Sequence, residues 1–279
     1  MSSNEVFFTE EQTPNVRFSL RVREKLLACQ TPYQLLEVFE TEEFGKLMVL
    51  DGKVMLTERD ELYYHEMLVH PALFTHPAPR RVLIIGGGDG GTAREVLRHP
   101  SVEAVIWGEI DEAVIEASRE YFPTVCAGVF DDARVTLRVM PGEDLMASLT
   151  HEVDVILVDS TDPIGPAVPL FESPFFTACR RALRKGGIYA TQCGSPFYFQ
   201  AEVQSVDRHL RTVFAKVRRY LGMMPSYPSG VWSYAMAGDE SLSLSMEELQ
   251  RRFAERQLKL SYYTPEIHLA SAVIPPILQ

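Results

Sequence analysis

Paired cysteines are missing from this chain. Its four cysteines, Cys29, Cys126, Cys179 and Cys193, lie far apart, with no CxxC spacing. That excludes a disulfide framework and a cysteine-based zinc site, and fits reduced thiols in the cytoplasm. Long apolar runs are missing too: nothing approaches the roughly 18 residues of a membrane span. The opening stretch MSSNEVFFTEEQ is acidic and polar, unlike a signal or transit peptide. Positive charge is in short supply, with 27 Lys and Arg against 38 Asp and Glu and a formal net charge of -11. Nucleic acid and anionic membrane are therefore poor partners, whereas a cationic substrate is compatible. There is no internal repeat and no low-complexity segment. What is present is a 279-residue chain, 46% hydrophobic and 23% charged. This suits a sizeable core in one large domain, or a large domain with a small appendage.

The densest signal is RVLIIGGGDGGTARE, from Arg81 to Glu95. Val82 to Ile85 is the short β-branched run of a buried parallel strand. Gly86, Gly87, Gly88, Gly90 and Gly91 then surround Asp89, and Ala93 to His99 reads as helix. Strand, glycine turn and helix together predict a nucleotide-binding crossover, in which the missing Cβ atoms let a ligand approach the backbone. Taken alone, such a turn also fits plain helix–strand packing. A carboxylate at its centre repels phosphate, so this loop is built for a cation.

Residues 1–76 read as a small antiparallel β-domain. Leu35 to Phe39, Lys46 to Leu50 and Val54 to Leu56 are its strands, with Asp51-Gly52 as a hairpin turn. VRFSLRVREKLLACQ mixes apolar and basic positions. Glu61 to Thr75 changes to a helical period and ends at the prolines of HPAPRR. Residues 77–279 alternate strand and helix, which predicts a doubly wound, mostly parallel sheet with helices on both faces. A charged helix is expected over 240–259, and the last residues are apolar enough to pack on the body.

Ligands in such sheets bind at the carboxyl ends of the strands, and the acids fall there. The first strand leads to Asp89, the second ends at Glu109 and Asp111, and DVILVDS ends at Asp159 with Asp162 following. Glu109 sits where an adenosine site places the acid that accepts both ribose hydroxyls. Asp111, directly before EAVIEAS, suits a helix N-cap better. Asp89, Asp159 and Asp162 repel one another unless cations arrive, and an alkylammonium or polyamine supplies them. No His–Cys pair accompanies them, so a metal would need an all-carboxylate site, and none is expected. Pro163, Gly165 and Pro166 stiffen a loop suited to serve as a lid.

GGGDGG, GEID, DSTDPIGPAVPLF and PSYPSGVWSY, with TEEFGKLMVLDGKVMLTERDELYYHEML and YYTPEIHLASAVIP, together resemble the polyamine aminopropyltransferases, the family of the spermidine synthases. The resemblance spans nearly the whole chain. It implies an N-terminal β-domain that joins subunits into a homodimer or homotetramer, and a Rossmann-like, methyltransferase-type catalytic domain. It implies transfer of the aminopropyl group of decarboxylated S-adenosylmethionine to putrescine, giving spermidine and methylthioadenosine. The donor is a co-substrate, and no cofactor is implied. By the same resemblance Gln34, His65, Gly86, Gly88, Asp89, Glu109 and Gly142 hold the donor. Asp159 accepts the proton of the attacking amine, while Tyr64, Asp162 and Tyr227 bind and align the acceptor.

Two positions depart from the family pattern. Pro141 stands where an Asp or Asn side chain meets the adenine amino group, and proline has no side-chain acceptor. Glu143 and Asp144 are the nearest substitutes. Met55 replaces a glutamine near the diamine, which makes that wall less polar. Another amine acceptor, or a nucleoside-binding relative without turnover, therefore stays open beside putrescine. A methyltransferase of the same fold is disfavoured, because its donor keeps the carboxylate that Asp89 repels.

Overall fold

The computed structural model describes residues 5–163 and 165–278, with the backbone alone at 165 and 166. The chain first builds a five-stranded antiparallel meander in sequence order: β1 (Val6–Thr13), β2 (Val16–Gln30), β3 (Leu35–Thr41), β4 (Lys46–Leu50) and β5 (Lys53–Thr57). The turn between β4 and β5 has positive φ at both expected residues, 48° at Asp51 and 77° at Gly52, as a type I′ turn requires.

The sequence did not mark β1 and β2 as strands. In β2, Leu20 and Val22 are buried while Arg17, Arg21 and Arg23 are exposed, which is a clean period of two. Register shifts between Val22 and Glu24 and between Lys25 and Leu27 then break that alternation. The bulges scramble the pattern.

Helix α1 (Glu61–Thr75) coincides with the expected span, and its residues from Tyr64 to Thr75 are buried. It belongs by packing to the second layer: Met67, Val69 and Phe74 share a core with Val82, Ile84, Val155 and Leu157. The second sheet contains β6 (Arg81–Gly86), β7 (Ala104–Glu109), β8 (Val135–Val139), β9 (Val153–Asp159), β10 (Leu183–Gly194), β11 (Lys216–Met223) and β12 (Val231–Gly238). Their order is β11-β12-β10-β9-β6-β7-β8. The pairs from β8 through β10 are parallel, and β12 runs antiparallel to both β10 and β11. Successive residues of β6 feed opposite cores, Val82 and Ile84 one and Leu83 and Ile85 the other. A strand covered on both faces reads as a continuous apolar run for that reason.

The helices after α1 are α2 (Gly91–Leu97), α3 (Glu112–Tyr121), the single turn α4 (Pro123–Cys126), α5 (Gly142–Ala147), α6 (Ser173–Ala182), α7 (Gln200–Val213), α8 (Met246–Arg256) and α9 (Pro265–Ala270). The helix expected over 240–259 is thus shorter. Ser245 caps it by accepting from the Glu248 amide at 3.1 Å, and Gln257 ends it at φ 52°. The tail docks on α1, where the Glu66 carboxylate accepts the amides of Ser261, Tyr262 and Tyr263 at 2.8–2.9 Å. The first sheet lies against α3 and α4 through Leu36, Val38, Met48 and Leu56, packed on Val114, Ala117, Phe122 and Val125. Among the described residues no helix is long and apolar enough to cross a membrane.

Candidate active site

The site forms where the strand order reverses. From β6 the chain proceeds to β7 and β8 on one side, and later to β9 and β10 on the other. That reversal opens a crevice at the carboxyl ends of β6 and β9. Gly86, the last residue of β6, is paired in register with Asp159, the last residue of β9. A Cβ on Gly86 would stand 2.2 Å from the Asp159 carbonyl oxygen, and its φ is +80°. Only glycine turns the chain there. The first turn of α2 then presses on α1, since a Cβ on Gly91 would lie 2.2 Å from the His65 ring.

Two adjoining cavities occupy the crevice. The first encloses about 150 Å³ and is lined by Gln34, Tyr64, His65, Gly86, Gly88, Asp89, Glu109, Gly142, Asp159 and Tyr227, among others. The second, about 410 Å³, is lined by Asp162 and shares Gln34, Tyr64, Met55 and Tyr227 with the first. The positions singled out in the sequence therefore meet at one place. On the first cavity's wall Met140, Gly142 and Glu143 contribute lining around Pro141, and Asp144 does not.

The acids are less bare than their sequence suggested. His65 faces carboxylates from both ring nitrogens: Nδ1 lies 2.6 Å from Glu61 and Nε2 lies 3.2 Å from Asp89. Burial alone would depress its pKa, but Asp89 and Glu61 together raise it to about 10. The ring is an imidazolium at neutral pH. The protein thus supplies Asp89 with one cation of its own, which corrects the expectation of an unpaired acid. Glu61 is in turn held by Arg94, at 2.9 and 2.8 Å. Among the described contacts of Asp89, both the His65 ring and the Gly91 amide, at 2.7 Å, fall on Oδ1. None of these contacts falls on Oδ2. His65, Asp89 and Asp159 also bring one ligand atom each within 4.8 Å of one another. His65 would have to give up a ring proton to serve as a metal ligand there.

Asp159 is buried and doubly hydrogen-bonded. Its Oδ1 accepts from the Tyr64 hydroxyl at 2.7 Å, and its Oδ2 from Thr92 at 2.6 Å. Burial raises its pKa above the usual carboxylate range, as does the nearby Asp89 charge, while His65 and the two hydroxyls oppose them. Glu109 is buried as well; desolvation first, then the charges of Asp111 and Asp159, lift its carboxyl to about 7 against the pull of backbone amides. Asp111 does cap α3, accepting from Ala113 at 3.2 Å. It also receives Thr31 at 2.7 Å and Gln34 at 2.9 Å, so it ties the first sheet to the second.

Tyr227 is held from below and beside. Its hydroxyl donates to the Met55 carbonyl at 2.5 Å, and its ring meets Trp232 edge-on at 4.7 Å. The loop that carries it is pinned by Asp60, which accepts from the Ser226 amide at 2.8 Å. Asp162 keeps Oδ1 buried without a hydrogen-bond partner, and burial raises its carboxyl despite the Gln192 side chain. Gln192 donates to the carbonyls of Ser160 and Thr161 at 3.1 and 3.3 Å, fixing the segment before Asp162. Of the expected lid, Ile164 lies outside the described residues; Gly165–Phe171 continues as a 3-10 turn whose Ala167 and Leu170 line the first cavity. Sequence reasoning missed Thr92, Glu61, Arg94 and Gln192. Only the Glu61–His65 spacing of four on a helix was a signal.

A glycine turn at the switch point of a mixed, methyltransferase-like sheet, with carboxylates at three neighbouring strand ends, defines a Rossmann-like protein with a ligand crevice. Residues 61–246 match the family model of the spermine/spermidine synthase domain, and residues 6–58 match that of the spermidine synthase tetramerisation domain. The chain is 44% identical over 271 residues to the polyamine aminopropyltransferase of Thermoanaerobacter sp. (strain X514), covering 97% of this chain and 96% of that one. It is 42% identical over 275 residues to that of Shouchella clausii, covering 99% and 98%. A crystal structure of spermidine synthase in complex with the transition-state analogue AdoDATO superposes with a TM-score of 0.94 at 38% identity, covering all of this chain and 95% of that one. The Thermotoga maritima spermidine synthase structure superposes with 0.92 at 38% identity, covering 100% and 94%. The chain belongs to the spermine/spermidine synthase family and is an aminopropyltransferase.

Proposed function

We propose that this enzyme transfers the aminopropyl group of decarboxylated S-adenosylmethionine to putrescine, giving spermidine and methylthioadenosine. The carrying observation is the pair of adjoining cavities, one with Asp89 in its glycine turn and the other with Asp162 on its wall. Tyr64, hydrogen-bonded to Asp159, stands on the wall they share. In this reading the donor fills the first cavity. Its terminal ammonium meets Asp89 Oδ2, Glu109 takes the ribose hydroxyls, and Gln34, His65 and the backbone at Gly86, Gly88 and Gly142 complete the wall. The intact donor would set a carboxylate against Asp89, and like charges keep it out.

The acceptor enters through the second cavity. Asp162 takes its distal ammonium, and Tyr227 and Tyr64 flank its chain with ring faces that favour cations. Asp159 accepts a proton from the near amine. The freed nitrogen lone pair attacks the propyl carbon next to sulfonium, and the C–S bond breaks with its electrons going to sulfur. Neutral methylthioadenosine leaves. Alignment contributes much of the rate, since the reacting atoms must meet in line.

Glu109 makes donor binding pH-dependent. Its carboxyl lies at about 7, and a diol binds the ionised form better, so affinity rises with pH. Between pH 6 and 8 the ionised fraction changes by about tenfold, and donor affinity should follow. His65, raised to about 10, and Asp89, held low, keep their charges across that window. Calorimetric titration across the range, with Glu109→Gln flattening the step, checks this.

The same reading places the chain in the cytoplasm, as a homodimer or homotetramer joined partly through the first sheet, with no cofactor. Its functional division then lies between the first sheet, as assembly unit and acceptor wall, and the rest. The test of the acceptor is competition among putrescine, cadaverine, agmatine and spermidine with the decarboxylated donor. Putrescine should be consumed first; preference for any other amine would overturn the assignment. Met55, whose side chain replaces a polar wall, is the feature that favours the competing amines.

A further inference from the structure

Four carboxylates line the second cavity: Glu10 from β1, Asp51 from the β4–β5 turn, Asp162 after β9 and Glu202 from α7. Among the described residues Lys53 is the one cationic side chain there. Its Nζ donates to the Glu11 carbonyl at 2.5 Å and stands 3.7 Å from Glu10 Oε1. Glu10 is only 3% exposed, and its other oxygen accepts the Val54 amide at 3.0 Å. Glu10, Lys53 and Asp162 line this one cavity, and the Lys53 and Asp162 charges both act on Glu10. Asp162 Oδ1 is buried without a partner, whereas Glu10 already has its cation.

We infer that Lys53 limits acceptor length, by filling with its own ammonium the anionic position that a third amine of a longer substrate would need. This rests on reading the second cavity as the acceptor site. A diamine has two charges, one at Asp159 and one at Asp162, and meets no conflict. A triamine carries a further ammonium beyond Asp162, where Lys53 occupies Glu10 and repels it. A longer amine must displace the lysine to reach Glu10 or turn aside to Asp51 or Glu202, and the buried Glu10 position is closed to it while Lys53 stays paired there. Lys53 is here a specificity-determining residue, without a part in the chemistry.

The test measures kcat/KM for putrescine and for spermidine with the decarboxylated donor, in the full chain and in Lys53→Gln and Lys53→Arg. The full chain should prefer putrescine. Lys53→Gln should raise the spermidine-to-putrescine ratio about tenfold, which is about 1.4 kcal/mol, while Lys53→Arg keeps the ratio within about twofold of the unaltered chain. A lysine that merely clips β1 to β5 predicts the same factor on both amines in Lys53→Gln, and an unchanged ratio overturns the inference. So does an unaltered chain that uses spermidine as well as putrescine. A chain that turns over neither amine overturns the acceptor reading and this inference with it.

Discussion

Asp159→Asn should lower kcat by about 10²- to 10⁴-fold, the range of a lost general base, while leaving the fold and the donor affinity nearly unchanged. The carboxylate is placed by the end of β9 and by two hydroxyls, Tyr64 on Oδ1 and Thr92 on Oδ2. An asparagine has the same shape, but its amide takes up no proton, and its NH₂ would face a hydroxyl that now donates. The raised pKa of Asp159, caused by burial and by Asp89, brings it nearer to that of an amine about to lose a proton. Single-turnover kinetics and a thermal melt separate the two readouts. A variant with normal kcat would remove Asp159 from the chemistry, and a variant that fails to fold would be replaced by Tyr64→Phe, which removes one of its hydroxyl donors.

Asp89→Asn should abolish most of the discrimination between the decarboxylated and the intact donor. A hydrogen bond to a charged group contributes about 1.5–3 kcal/mol, so affinity for the decarboxylated form should fall roughly 10- to 150-fold by the tenfold-per-1.4 kcal/mol rule. The intact form should bind no worse, because repulsion of its carboxylate disappears. Glu61 is paired with Arg94 of α2 at 2.8 Å and does not contact the altered side chain, so the link between α1 and α2 should survive. Calorimetry with both donors reads the two affinities side by side. An unchanged ratio would mean that some other group selects the donor.

Much of this architecture was legible because its elements repeat a simple period. The sheet from Arg81 onward was visible as apolar runs ending in glycine or acid, and those ends converge because parallel strands deliver all their carboxyl termini to one edge. Helix α1 was visible from its change to a helical period and its proline-rich stop. β2 was hidden by bulges, which interrupt a pattern that only register could restore, and β1 by the polar Glu10 and Gln12 that it buries beside Phe8. Within the site, the cap by Asp111 was readable from its place before EAVIEAS, but its bonds to Thr31 and Gln34 were not, since they cross about 80 residues of chain. The pairing of Asp89 with His65 was hidden in the same way: nothing local brings the glycine turn to α1, and the contact depends on Gly91 leaving room for the ring. Long-range polar contacts carry no periodicity, so a lone sequence is silent about them.

The most direct measurement is product analysis of the purified chain incubated with decarboxylated S-adenosylmethionine and putrescine. Spermidine and methylthioadenosine should be released in equal amounts, with no methyl transfer when the intact donor is supplied instead. Failure to release methylthioadenosine with putrescine, cadaverine, agmatine or spermidine, or tighter binding of the intact donor than of the decarboxylated one, would contradict the proposed transfer.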